Sequence, residues 1–130
     1  MRRTALAVGV ALLAVGAGPA GSSTQSARWF HSPSRNVSCE LSVERPEIGT
    51  TAFCWTLHPP RCVILEADGR TRAPRNCLIG NPPENAFTLR YGRSVRLGPF
   101  RCTSRRVGMR CVVPSNGHGF LISRRRLTRF

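Results

Sequence analysis

Lysine is absent from this sequence and acids are scarce: aspartate and glutamate together number six, against 20 arginines, for a formal net charge of +14. The single aspartate, Asp68, stands in a turn-like Asp-Gly step, and Glu40, Glu44, Glu47, Glu66 and Glu84 are dispersed. That scarcity argues against a serine triad, which needs a histidine oriented by a carboxylate beside a nucleophile. It argues equally against a paired-carboxylate glycosidase. Cys-x-x-Cys pairs are missing, and His31, His58 and His118 stand far apart, so ligand spacing offers neither a metal site nor a reactive thiol pair. Aromatics make up 7% of the chain. With so few, and no groove-reading helix, there is no stacking platform for bases, and nucleic acid is not an expected partner. No cofactor is expected either.

Long apolar runs are missing everywhere except near the N-terminus. There Met1-Arg2-Arg3 precedes "TALAVGVALLAVGAG", which is short and glycine-rich for a bilayer span but has the shape of a secretory leader. The small residues of "GAGPAGSS" place cleavage after Ala20. The expected organisation is a leader at 1–20, a flexible segment at 21–28 and one domain at 29–130, with no membrane span after leader removal. A secreted, extracellular or envelope-associated location follows.

What is present begins with six cysteines: Cys39, Cys54, Cys62, Cys77, Cys102 and Cys111. An even count in an exported chain of this size reads as a disulfide framework, because a small core alone leaves little stability. Six cysteines permit many pairings. Sequential pairing, Cys39–Cys54, Cys62–Cys77 and Cys102–Cys111, is the simplest.

No stretch after residue 27 sustains a helical apolar period, and short alternating runs separated by turn chemistry point to a mainly β fold. The expectation is a small antiparallel sheet or sandwich stapled by three disulfides. "ARWF", "VSCELSV" and "TTAFCWTL" read as strands, and "RCVIL-EADG-RT" as a hairpin around Asp68-Gly69. "RAPRNCLIGNPPENA" is loop-like. From "FTLRYG" onward the runs "RSVRLG", "PFRCTS", "GMRCVV" and "GFLIS" form a C-terminal meander. Cys102 and Cys111 are symmetrical about Arg105-Arg106-Val107-Gly108, so a hairpin there sets the sulfurs opposite each other.

In "GHGFLISR" a lone histidine lies between two glycines. Its neighbours Asn116-Gly117 and Gly119 tolerate positive φ, so His118 reads as a turn residue. A turn centred between Asn116 and Gly117 sets Arg124 opposite Met109 and carries Arg125 and Arg126 toward Val107. Arg105, Arg106, Arg110, Arg124, Arg125 and Arg126 then share one end of the sheet as an anion-binding candidate, because guanidinium forks suit phosphate and carboxylate.

The order "FHSPSRNVSC", "CLIGNPPEN", "TLRYG", "GPFRCTS", "GMRC" and "GHGFLIS" over residues 30–130 resembles a small secreted domain-of-unknown-function family of actinobacteria. Its members read Ser-Pro-Ser-x-Asn-x-x-Cys near the start. They close with Gly-x-x-Cys and then Gly-His-Gly-Phe-x-x-Ser-Arg. The resemblance implies a family and no activity. Two departures stand out: Arg35 occupies a position where the family usually has glycine, and the "RRRLTRF" tail is more basic than the family's ending. The expected function is a non-catalytic binding module whose arginines meet an anionic envelope polymer, lipid head group or acidic protein. An inhibitor-like or effector protein presenting the rigid loop "GNPPENA" is the alternative, and a small hydrolase using His118 the third reading.

Overall fold

The computed structural model describes residues 9–11, 16, 26–77 and 79–130; the leader expected at 1–20 lies almost wholly outside the described residues. Among the described residues there is no helix, and therefore none long and apolar enough to cross a membrane. The chain forms two sheets. The first contains β1 (Ser26–His31), β2 (Ser38–Arg45), β3 (Gly49–Leu57), β4 (Pro60–Glu66), β5 (Thr71–Arg72) and β6 (Phe87–Thr88), in the order β5-β4-β3-β2-β1-β6. The second runs β11-β10-β9-β8-β7, with β7 (Ser94–Leu97), β8 (Phe100–Arg105), β9 (Gly108–Val112), β10 (Gly119–Ile122) and β11 (Leu127–Arg129).

The alternating pattern explains why the sheets face each other. Cys39 and Leu41 on β2, Ala52 and Cys54 on β3, and Val63 and Leu65 on β4 point inward at every second position. They meet Phe100 and Cys102 of β8, Met109 and Cys111 of β9, and Phe120 and Ile122 of β10. These side chains are almost fully buried, and each large one contributes about 1.5–3 kcal/mol relative to exposure.

All six cysteines are bonded in the sequential pairing. Cys39 faces Cys54 directly across β2–β3, and Cys102 faces Cys111 across β8–β9, with Cα separations of 4.1 and 4.0 Å. Both bridges point into the core from opposite sheets, and Cys54 Sγ lies 3.7 Å from Cys111 Sγ. These grouped sulfurs are oxidised, so they offer no thiolate to a metal. The third bridge does different work. Cys62 lies beside Trp55 in the β3–β4 ladder, on the face away from the core, and its bond to Cys77 ties the loop 73–86 over that face. Trp55, stacked on Phe53 at 5.1 Å, donates its indole N–H to the Gly80 carbonyl at 2.8 Å. This cover helps explain why Ser38, the cross-strand neighbour of Trp55, is buried although the alternation in β2 put it on the open side.

Four sequence expectations need correction. "FTLRYG" does not open the C-terminal meander: Phe87-Thr88 joins the first sheet, parallel to Phe30-His31, and makes that sheet mixed. The first strand begins at Ser26, inside the segment read as flexible. The β9–β10 register is displaced by two residues, with Ile122 and not Arg124 opposite Met109. Pro114 has no N–H to give a ladder, so the loop spans Pro114 to Gly117 and is closed by Val113 N–H donating to the His118 carbonyl at 2.8 Å. Finally, Arg124, Arg125 and Arg126 do not extend β10 along β9 toward Val107. The chain reverses at Arg124-Arg125 and returns as β11, where Leu127 pairs with Ile122.

Candidate functional site

Because neighbouring strands reverse direction, the turns gather at two ends of the sandwich. One end holds the β1–β2 turn, the His58-Pro59 tip of β3–β4, the 90–93 turn before β7, the Arg106-Val107 tip of β8–β9 and the Arg124-Arg125 tip of β10–β11. The opposite end holds the β2–β3 turn, the Asp68-Gly69 turn and the loop that carries His118.

At the first end, two arginine-bearing tips are held side by side by local chemistry. Gly108 has a φ of +145°, and a Cβ there would stand 2.5 Å from the Ile122 carbonyl oxygen and 3.3 Å from Ser123 Cβ. Only glycine lets the end of β10 come this close. The next tip is shaped by Ser123, whose N–H donates to the Arg126 carbonyl at 2.9 Å. Its hydroxyl accepts from the N–H groups of Arg125 and Arg126 at 3.2 Å each. Arg61, from the first sheet, donates to the Ser123 carbonyl at 3.0 Å and the Arg124 carbonyl at 3.4 Å. Arg124 Nε reaches back to the His58 carbonyl at 3.1 Å. Two sheets are thus stitched together at this corner by guanidinium groups.

The result is an open concavity of about 760 Å³ lined by Asn36, Pro59, Arg106, Val107, Leu121, Ser123, Arg124, Arg125 and Arg126. Among the described residues its lining includes four arginines and no acid. Arg106, Arg124, Arg125 and Arg126 are exposed, and Arg106 lies over the Tyr91 ring at 5.0 Å. A concave, acid-free arginine surface offers several forked donors to one anionic group or to a run of them.

Of the six arginines singled out from sequence, the fold brings Arg106, Arg124, Arg125 and Arg126 together. Arg105 is exposed at the last paired position of β8, outside the lining. Arg110 does not share the end: its guanidinium lies over Phe130 at 4.8 Å, and Phe130 pairs with Gly119 at the far end of β10. Sequence reasoning missed Arg35, Arg61 and Asn36, which the first sheet supplies. Arg35 shares a smaller hollow with Asn36, Leu57, His58 and Arg124. Its φ of +58° is left-handed, a conformation that glycine adopts at less cost than arginine.

His118 is at the opposite end. Its N–H donates to Asn116 Oδ1 at 3.0 Å, and the Asn116 amide donates to the Asp68 carbonyl at 2.8 Å. The fold therefore brings His118 and Asp68 to one shallow hollow, which the sequence did not foretell. The Asp68 carboxylate, however, accepts from the Arg70 backbone N–H at 3.0 Å and from Arg70 Nε at 2.7 Å. The Arg70 backbone N–H is the largest cause that holds the Asp68 carboxyl below its ordinary 3.8; burial opposes it, and the Arg70 side chain adds to the lowering.

The chain folds as a two-sheet β-sandwich stapled by three disulfides, with an arginine-lined concavity at one end. The chain belongs to a family of unknown function, DUF6636, which matches residues 60–130. That match runs from β4 to the last residue and includes the whole second sheet with both arginine tips. No curated protein and no solved structure matches the chain.

Proposed function

We propose that this protein is a secreted or envelope-associated, non-catalytic binding module of actinobacterial origin that meets anionic partners through the arginines of its basic end. An anionic envelope polymer, a lipid head group and an acidic protein all present the chemistry those arginines take. The observation that carries the reading is the convergence of Arg106, Arg124, Arg125 and Arg126 on one concavity with no acid in its lining. Like charges so placed repel, and a bound anion relieves the repulsion. The three disulfides support an oxidising destination. The loop 73–86 speaks less for presentation to a partner than for cover, because Trp55 holds its Gly80 carbonyl and Cys62 its Cys77.

The test is binding of the protein to inorganic polyphosphate across a range of ionic strength. With the four lining arginines in contact, log K falls against log salt with a slope of about −3. A slope near zero, or no binding at low salt, overturns the proposal.

A further inference from the structure

The basic end carries a second feature that charge alone does not use. Each of three of its turns ends in an exposed apolar or aromatic side chain: Val107 at 64% exposure, Leu57 at 38% and Tyr91 at 38%. Val107 follows Arg106 on the β8–β9 tip and lines the same concavity as Arg124, Arg125 and Arg126. Leu57 shares its hollow with Arg35 and Arg124. Tyr91 lies under the Arg106 guanidinium. Three separate tips, from both sheets, thus present apolar groups among cations at one pole of the molecule. A soluble polyanion has no apolar phase to receive them. A bilayer made of anionic lipids does, because its phosphodiesters meet the guanidiniums while the side chains between them enter the boundary between head groups and acyl chains.

The opposite pole makes the contrast. Among the described residues its exposed large apolar side chains are Ile48 and Phe130, and Ile48 is preceded by Glu47. Glu44, Glu47, Glu66 and Asp68 all belong to the strand ends or turns of that pole, where Asp68 pairs with Arg70 and Glu66 with Arg72, so its arginines attract a negative surface less than those of the acid-free end do.

We infer that the basic end docks on an anionic phospholipid bilayer, with Arg35, Arg106, Arg124, Arg125 and Arg126 on the lipid phosphates and Val107, Leu57 and Tyr91 seated in the interface. The inference rests on the anion-binding reading and narrows it to one partner.

Flotation of the full chain with phosphatidylglycerol/phosphatidylcholine vesicles, with phosphatidylcholine vesicles alone, and a parallel binding assay with soluble polyphosphate, tests it. The N-terminal stretch, with Arg2 and Arg3, has its own affinity for anionic lipid, and because the variants below leave it unchanged, their difference from wild type reports the basic end alone. The wild type is expected to prefer the anionic vesicles by at least about tenfold. The double variant Val107→Asn/Leu57→Asn is expected to lose about tenfold on those vesicles while keeping polyphosphate binding within about twofold. Ile48→Asn, at the opposite pole, is expected to leave vesicle binding unchanged. Polyphosphate binding without preference for anionic vesicles overturns the bilayer inference and leaves the anion-binding reading standing. A double variant that floats like wild type, one that loses both ligands equally, or an effect of Ile48→Asn as large as its own, also overturns the inference. Failure of the wild type on all three probes removes both readings.

Discussion

The two ends of this sandwich are built from the same materials, tight turns and arginines, yet they dispose of charge in opposite ways. At the end that holds His118, Arg70 is paired with Asp68 at 2.7 Å and Arg72 with Glu66 at 2.8 Å, and Arg45 with Glu40 in the sheet leading toward it. At the other end the concavity collects Arg106, Arg124, Arg125 and Arg126 with no acid among them, and the chain contains no acid after Glu84. Exposed ion pairs of this kind contribute little to stability, about 0–1 kcal/mol each. Their absence from one end therefore costs the fold little, and it leaves that end a concentrated positive field. Where acids are placed, more than where arginines are placed, distinguishes the two ends.

The largest effect is expected from separating the two arginine tips. Gly108→Ala places a Cβ 2.5 Å from the Ile122 carbonyl oxygen at a φ of +145°, so either the β9–β10 ladder shifts or the strain is retained. A loss of about 2–4 kcal/mol in unfolding free energy is expected, read from urea denaturation with the disulfides intact. Polyphosphate binding should fall with it even below the unfolding transition. A variant as stable as wild type would mean that the tips do not approach as closely as described.

Next in size is the charge itself. Arg106→Gln/Arg124→Gln/Arg126→Gln is expected to weaken polyphosphate binding by at least about tenfold and to make the salt slope shallower by about 2–3. The matched variant Arg70→Gln/Arg72→Gln/Arg129→Gln removes as much charge from the opposite end and should change affinity by no more than about threefold through net charge alone. Equal losses in the two triples would show that only net charge matters. The comparison between the ends would then have no functional content.

How much of this was legible in the sequence depends on which contacts are local. The Cys102–Cys111 hairpin could be read because the cysteines are symmetrical about the tip, and the structure pairs them directly. The hairpin around Asp68-Gly69 could be read for a similar reason. The strand β11 could not: its turn is Arg124-Arg125, which lacks the Asn-Gly or Asp-Gly signature, and the apolar part of Leu127–Arg129 is a single leucine. The two-residue displacement of β9–β10 preserved the grouping of Arg106 with Arg124, Arg125 and Arg126, because an even shift keeps each side chain on its face. Arg110 was misplaced because its direction depends on Phe130, a contact made by the unforeseen strand. Arg35, Arg61, Leu57 and Tyr91 reach the site only through packing of one sheet on the other, or through the parallel β6 pairing that carries the chain across. No local pattern announces either.

A smaller effect, about 1 kcal/mol, belongs to Arg35. It holds a left-handed φ of +58° in a turn where Ser32 accepts its N–H at 2.9 Å. A non-glycine residue there costs about 1–2 kcal/mol, part of which glycine returns through its greater freedom in the unfolded chain. Arg35→Gly is therefore expected to raise stability by roughly 0.5–1 kcal/mol and to lower polyphosphate affinity by about twofold to threefold as one cation leaves the rim. Opposite signs for stability and binding would mark a residue kept for its charge. If the variant gains stability and loses no affinity, Arg35 is outside the binding surface.

The smallest effect belongs to the paired end and concerns pH. The Asp68 carboxyl is held below its ordinary 3.8, first by the Arg70 backbone N–H and further by the Arg70 side chain. A carboxyl whose folded value is depressed stabilises the fold fully above its unfolded value, and that contribution disappears as pH falls through the folded value. Asp68→Asn keeps the backbone carbonyl that Asn116 binds and removes only the titrating group. The small difference in urea midpoint between wild type and variant should therefore be constant from neutral pH down to about 4 and close below it. Titration of the Asp68 carboxyl carbon by NMR gives the folded value directly. A midpoint at or above 3.8 would mean that Arg70 does not hold this carboxylate, and that the turn beside His118 has an acid free to serve another partner. A value below it leaves the acid engaged and the contrast with the unpaired end intact.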